Sequence, residues 1–117
     1  MEFTDIIKTS FIQRRLKWRP IDLGDTHIGG GVYRMKDKND QIIYVGKSHD
    51  LHRRILQHIG KDTNTKYFID EVRVIEWMPE PSPIFQTLLE GIFIAMYSPK
   101  YNDEVKDEGK MTGYDIR

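Results

Sequence analysis

Glu90 is the only charged side chain between Pro83 and Tyr97, set between Leu88-Leu89 and Ile92-Phe93-Ile94. Carboxylates are rarely buried unless they are paired or bind a metal, so one reading is a metal ligand raised to the rim of a site. Gln86, Thr87 and Gly91 flank it on one helical side, which equally suits a glutamate on a narrow solvent-facing stripe. Arg54 and His58, four positions apart, share a helix face. Arginine can hold two phosphate oxygens at once, and a histidine one turn along can donate to an oxyanion or move a proton. A solvated face with an incidental histidine has the same pattern. At Gly46-Lys47 a strand ends in glycine, which lets a ligand approach the backbone closely. Lys47 is then expected beside free helix N-terminal amides, a setting that suits a phosphate, although a surface lysine at a turn is the plainer alternative.

These residues need elements to position them. Residues 31–36 and 41–46 are rich in Val, Ile and Tyr around the polar turn Asp37-Lys38-Asn39-Asp40, which predicts a β-hairpin. In a symmetric register centred on that turn Tyr33 faces Tyr44, with Cβ atoms roughly 5 Å apart on the same side of the sheet. Two phenols then stand side by side, as catalytic groups or as a packed aromatic pair. Lys47 to Ile59 predicts a helix capped by Ser48 or Asp50, with Leu51, Ile55 and Ile59 forming its apolar face. Glu71–Met78 reads as a third strand. Ile84–Tyr97 reads as a helix stopped by Ser98-Pro99. Upstream, residues 4–17 predict an amphipathic helix with Ile6, Ile7, Phe11 and Leu16 on one stripe, ended by Arg19-Pro20. The expected fold is α/β, a small three-stranded antiparallel sheet flanked by helices.

Composition narrows the classes. A chain of 117 residues without cysteine fits one compact domain and excludes disulfides, thiolate-held zinc and thiol catalysis. It contains no apolar run of about 18 residues that could span a membrane. The start Met1-Glu2-Phe3-Thr4-Asp5 lacks the features of a secretion signal, so a cytoplasmic location is expected. The net charge is zero, unlike the basic balance usual in nucleic-acid-binding domains. The charge is nevertheless segregated. Lys8, Arg14, Arg15, Lys17 and Arg19 outnumber the acids of residues 1–20, and Lys47, Arg53, Arg54, Lys61 and Lys66 outnumber those of residues 47–66. Two such segments could form a stripe that follows a phosphate backbone, or they could be ordinary solvated faces.

Together the motifs resemble a known pattern. Gly31-Val32-Tyr33 and Tyr44-Val45-Gly46 look like the two tripeptides that name the GIY-YIG nucleases, and Lys47-Ser48 follows the second as it often does there. Arg54, ten residues after Tyr44, is similar to the family's helix arginine, and His58 completes the Arg-x-x-x-His form of some members. Glu90 resembles the metal-binding glutamate, and Pro99-Lys100-Tyr101-Asn102 resembles the P-x-Y-N ending. The resemblance implies a nuclease-like domain over residues 29–102, preceded by a helical extension (1–28) and followed by a polar tail (103–117).

It further implies hydrolysis of a DNA phosphodiester with Mg²⁺ or Mn²⁺ held by Glu90. Arg54 is expected to brace the nonbridging oxygens and His58 to support the scissile phosphate. Tyr44 would position water or phosphate, and Asn102 would orient its neighbours. Tyr33 is the expected general base by resemblance, with Lys47 as the alternative. Lys47, Arg53 and Arg54 are the expected DNA contacts, and the basic excess of residues 1–20, a segment outside the resemblance, adds Arg14, Arg15 and Lys17. Because most family members carry a separate DNA-binding region, a protein partner or a second copy of the chain is an expected source of specificity. The competing reading is a catalytically inert nucleic-acid-binding module of the same fold. The nuclease reading expects Tyr33, Tyr44, Arg54 and Glu90 on one concave face, with Glu90 on Tyr33's side of the sheet.

Overall fold

The computed structural model describes residues 17–102. The helix expected over residues 4–17 and the tail from 103 onward lie outside the described residues, apart from Lys17. The described elements are β1 (Arg19–Pro20), β2 (Gly31–Lys36), β3 (Ile42–Ser48), α1 (Leu51–Ile59), 3₁₀ turns at Asn64–Tyr67 and Ile69–Glu71, β4 (Val74–Pro79) and α2 (Pro83–Tyr97).

The strands form one antiparallel sheet in the order β1-β4-β2-β3. It has four strands where three were expected. The addition is Arg19–Pro20, which pairs with Trp77 and Glu76 of β4. Two residues give no readable alternation. The proline, which lacks an N–H to donate, is tolerated because this strand lies at the sheet edge. The Arg19 guanidinium lies 5.5 Å from the centre of the Trp77 ring. Ile21, Leu23 and Ile28 pack into the core, so residues ahead of position 29 contribute to it.

The hairpin register differs from the expectation. Tyr33 pairs with Gly46, and Tyr44 pairs with Met35. Asp40 adopts φ 63°, a left-handed conformation that adds one residue to the turn, and the ladder slips again between Met35 and Lys36. The two single-residue insertions move the register by two. Because side chains alternate with period two, Tyr33 and Tyr44 keep the same face but sit diagonally, ring centres 6.2 Å apart. A symmetric turn hid both irregularities.

Alternation along β2 sends Tyr33 and Met35 to one face and Val32 to the other. On the first face, Leu51 and Ile55 of α1 pack with Tyr33, Met35, Ile43, Tyr44, Phe68 and Trp77. On the second, Leu89 and Phe93 of α2 pack with Val32, Val45 and Met78. The sheet is thus the middle layer between two helices. Arg34 reaches the second face, donating to Glu76 at 2.7 Å and to the Tyr97 hydroxyl at 3.0 Å, with Trp18 stacked 4.3 Å beneath its guanidinium.

Both helices start at side-chain caps. Asp50 accepts from the Arg53 amide in α1, and Ser82 from the Phe85 amide in α2. Pro83 occupies the first turn of α2, where its missing N–H costs nothing. Ser98, in the left-handed conformation, ends it. The buried stripe of α1 is Leu51, Ile55 and His58, whereas the expected Ile59 is half exposed. A histidine therefore takes a core position.

Candidate active site

Gly46 explains how a phenol fits inside this sheet. A Cβ at that position would lie 2.4 Å from Cζ and Oη of Tyr33, so the ring occupies the space a side chain would need. Tyr33 is 1% exposed and His58 is 0% exposed. The Tyr33 hydroxyl lies 2.6 Å from Nε2 of His58. The other ring nitrogen, Nδ1, lies 2.6 Å from the Thr65 hydroxyl and 2.8 Å from that of Thr63. Arg54 is in hydrogen-bonding reach of Tyr33, and Tyr33 of Tyr44.

Burial sets the protonation states. It pushes the Tyr33 phenol well above its ordinary value, helped by Tyr44 and opposed by the Arg54 guanidinium. Tyr44 is raised by burial and then by the negative charge of Glu90, again against Arg54. His58 is lowered to about 4 by burial and by the nearby Arg54 cation. In the free protein at neutral pH both phenols keep their protons and the imidazole is neutral.

Glu90 arrives from the other side. Its helix covers the second face of the sheet, whereas Tyr33 lies in the first, so the four residues do not come from elements on one face as expected. β3 is the terminal strand of the sheet and the main contact of α2. Gln86 and Glu90, one turn apart, share a helix row, and Gln86 sits against Gly30 and His49 at the far end of β3. Glu90's charge acts on both Tyr33 and Tyr44. The carboxylate and the phenols are thus within electrostatic reach despite originating on opposite faces.

A cleft of about 540 Å³ opens beside this group. Lys47, Arg53, Arg54 and Gln57 line one wall, and Pro83, Gln86 and Thr87 the other. Arg54 is shared: it faces the cleft and its charge also acts on Tyr33. Lys47 is exposed, but as part of β3, and two of the amides expected to be free at the start of α1 have protein partners. The Leu51 amide donates to Gly29 and the Arg53 amide to Asp50. Cationic side chains, more than helix amides, face this cleft.

Asn102 is buried and makes a two-point contact with β3. Its Oδ1 accepts from the Val45 amide and its Nδ2 donates to the Val45 carbonyl, both at 2.9 Å. Lys17 is exposed next to Trp18, which packs on Phe93. Arg14 and Arg15 lie outside the described residues. Direct support of a phosphate by His58 does not fit, because the ring has no exposed surface and both nitrogens face protein groups. Sequence reading missed Thr63 and Thr65. Two threonines after a helix carry no signal of their own, and only the reversal at Gly60-Lys61 brings them back onto His58.

The donor chemistry can be tested against a divalent cation. Among the described residues no cluster of three or more His, Cys, Asp or Glu is assembled. A single carboxylate is a poor match for Zn²⁺, which takes three or four protein ligands. It suits Mg²⁺, which keeps several waters and accepts the rest of its shell from phosphate.

A family model described as the UvrC-like GIY-YIG domain matches residues 29–103. UvrABC system protein C of Haemophilus influenzae (strain 86-028NP) is 37% identical over 89 residues, 74% of this chain. The chain spans only 15% of the length of that relative. Among solved structures, the GIY-YIG N-terminal endonuclease domain of UvrC from Thermotoga maritima, bound to magnesium as its catalytic divalent cation, superposes with a TM-score of 0.58. It is 30% identical, and the match covers 64% of this chain and 84% of that one. A point-mutant form of the same domain, also bound to its catalytic cation, gives a TM-score of 0.57 at 30% identity over 64% of this chain and 83% of that one.

Proposed function

The chain belongs to the UvrC-like GIY-YIG family, and from that premise we propose that it is a DNA endonuclease, hydrolysing a phosphodiester with the help of one divalent cation bound at Glu90. The observation that carries this reading is the Tyr33–Tyr44–His58 cluster next to a cleft walled by Lys47, Arg53 and Arg54, with the charge of Glu90 bearing on both phenols. The residues come from four elements on two faces of the sheet, and packing alone does not call for both phenols to feel a carboxylate.

Hydrolysis requires an activated water, stabilisation of the charge on the five-coordinate phosphorus and an outlet for the leaving 3′-oxygen. Mg²⁺ or Mn²⁺ held by Glu90 supplies Lewis-acid stabilisation of the phosphate and the leaving oxygen when bound. Arg54 braces the nonbridging oxygens from the cleft wall. Tyr33 accepts the proton of the attacking water at its phenolic oxygen, and Lys47, exposed on the cleft, binds phosphate. Tyr44, also under the charge of Glu90, orients the water. His58 acts through Tyr33 rather than on the phosphate, and Asn102 holds the β3 backbone in place. The products carry a 5′-phosphate and a 3′-hydroxyl. Arg53 and Lys47 lie along the DNA path, and Arg14, Arg15 and Lys17 extend it.

The resemblance to UvrC reaches only its nuclease domain. A partner protein or a second copy of this chain is the proposed contributor to target choice. The test is cleavage of a panel of supercoiled, linear, flap and branched DNA with Mg²⁺ and with Mn²⁺, against Glu90→Gln. Metal-dependent cutting by the wild type, lost in the variant, is the expected result. No cutting of any substrate in either metal would sink the proposal.

A further inference from the structure

The hydrogen bonds around His58 have a direction. A neutral imidazole carries one N–H, so one ring nitrogen donates and the other accepts. Nε2 faces the Tyr33 hydroxyl at 2.6 Å. Nδ1 faces Thr65 Oγ1 at 2.6 Å and Thr63 Oγ1 at 2.8 Å, and those two hydroxyls are 2.6 Å from each other. A guanidinium only donates, and the Arg54 cation lies near enough to Tyr33 to oppose the rise of its phenol, so it favours a lone pair, not a hydrogen, on the side of the Tyr33 oxygen that faces it. If Nε2 also carried its hydrogen, that oxygen would face two donors and its own hydrogen would be turned away from His58. With the hydrogen on Nδ1 the conflict disappears. Nδ1–H donates to a threonine hydroxyl, Tyr33 donates to Nε2, and the lone pairs of the Tyr33 oxygen face the side of Arg54 and Tyr44.

We propose that Thr63 and Thr65 are positioning residues for the cleavage reaction: their paired hydroxyls hold His58 in the Nδ1–H form, so that Nε2 takes the Tyr33 proton and the phenolic oxygen is presented to the attacking water. The inference rests on the nuclease reading. In the step it describes, the water O–H breaks and its proton bonds to the Tyr33 oxygen, while the proton already on Tyr33 passes to Nε2. The water's electron pair forms the new P–O bond, and the P–O3′ pair leaves with the 3′-oxygen, which takes a proton from solvent. The resulting imidazolium keeps its Nδ1–H on threonine, and the negative charge on the nearby phosphate favours it.

The fold builds this clamp deliberately in space. Lys61 adopts a left-handed conformation at φ 63°, and the Asp62 amide donates to the Gln57 carbonyl, so the chain doubles back after α1. Thr63 caps the following 3₁₀ turn by accepting from the Thr65 amide. Thr65 is itself fully buried at 1% exposure, where a hydroxyl needs a partner.

The test uses the whole chain with ¹⁵N-labelled imidazoles. A long-range ¹H–¹⁵N correlation of the wild type should place the His58 hydrogen on Nδ1. The double variant Thr63→Val/Thr65→Val should shift that tautomer and slow single-turnover cleavage by at least about tenfold, the scale of a proton-transfer contribution. DNA affinity should stay within about twofold, since neither threonine faces the cleft. Thr63→Ser/Thr65→Ser, which restores the hydroxyls, should recover both tautomer and rate. If the double valine chain fails to fold, Thr65→Val alone and the wild-type spectrum decide. A wild-type His58 protonated on Nε2, or an unchanged cleavage rate in the valine variants, overturns the clamp while leaving the nuclease reading intact. A wild type that cuts no DNA overturns the nuclease reading, and the positioning role with it.

Discussion

At the scale of single residues, two side chains carry separable consequences. Glu90→Gln removes a charge and conserves volume. The variant should fold normally, bind DNA within a few-fold of wild type, and lose metal-dependent cleavage by at least about a hundredfold if the charge holds the cation. Titration of Mn²⁺ followed by paramagnetic relaxation should show the matching loss of metal binding. His58 makes a prediction about stability. Its folded value, lowered to about 4 by burial and Arg54, lies below the ordinary 6.5 of an unfolded histidine. Between those values the unfolded chain binds a proton that the folded chain does not, so stability rises with pH. The contribution is fully present above about pH 6.5 and is lost as pH falls toward 4, by up to about 3 kcal/mol. Urea denaturation at several pH values should show a shallower acid decline for His58→Gln than for the wild type. Residue types and their order were legible in the sequence: Tyr33, Tyr44, Arg54 and Glu90 were all candidates. The burial of His58 was not, because a spacing of four from Arg54 is equally compatible with an exposed face.

At the scale of elements, β3 has the heaviest demands. It is an edge strand, yet it carries Tyr44, Gly46 and Lys47, and an edge presents unpaired backbone groups. Asn102 meets that need by bonding both the amide and the carbonyl of Val45, much as a neighbouring strand would. Asn102→Ala would leave both groups without that partner, at a cost of roughly 2 to 4 kcal/mol. Asn102→Asp keeps the acceptor but sets a carboxylate oxygen against the Val45 carbonyl in a buried site, so at neutral pH it should be at least as destabilising as alanine. Chemical denaturation of the three proteins gives the order. Gly46→Ala should be more damaging to cleavage than to affinity, because its methyl group would overlap the Tyr33 phenol at 2.4 Å while leaving the cationic wall untouched. Element types were readable from alternation and periodicity, as were the helix stops. The hairpin register was not, since it depends on a left-handed Asp40 and a slip beyond Met35, neither of which involves a glycine that would announce it. β1 was equally hidden, because two residues cannot show a period.

At the scale of the whole molecule, a chain of net charge zero is proposed to hold a polyanion. The fold answers by separating charges. Asp50 also lines the cleft, where its side chain accepts from the Arg53 amide, but Lys47, Arg53 and Arg54 outnumber it there. Each lysine or arginine that neutralises a duplex phosphate contributes about 0.9 to the slope of log affinity against log salt. Replacing Lys47 and Arg53 with alanine should therefore flatten that slope by roughly two units if both touch phosphate. Arg54 is left in place because its charge also acts on Tyr33, and its loss would mix binding with chemistry. The weakening should be similar across DNA sequences and should leave the preferred cut site unchanged, since phosphate contacts position without specifying. The same measurement on Arg14→Ala/Arg15→Ala/Lys17→Ala asks how far the DNA path runs. A further two to three units, roughly additive with the cleft variant, would mean that the N-terminal segment continues the track. An unchanged slope in that triple variant would confine the duplex to the cleft, whereas an unchanged slope in Lys47→Ala/Arg53→Ala would mean that DNA does not lie along this wall at all.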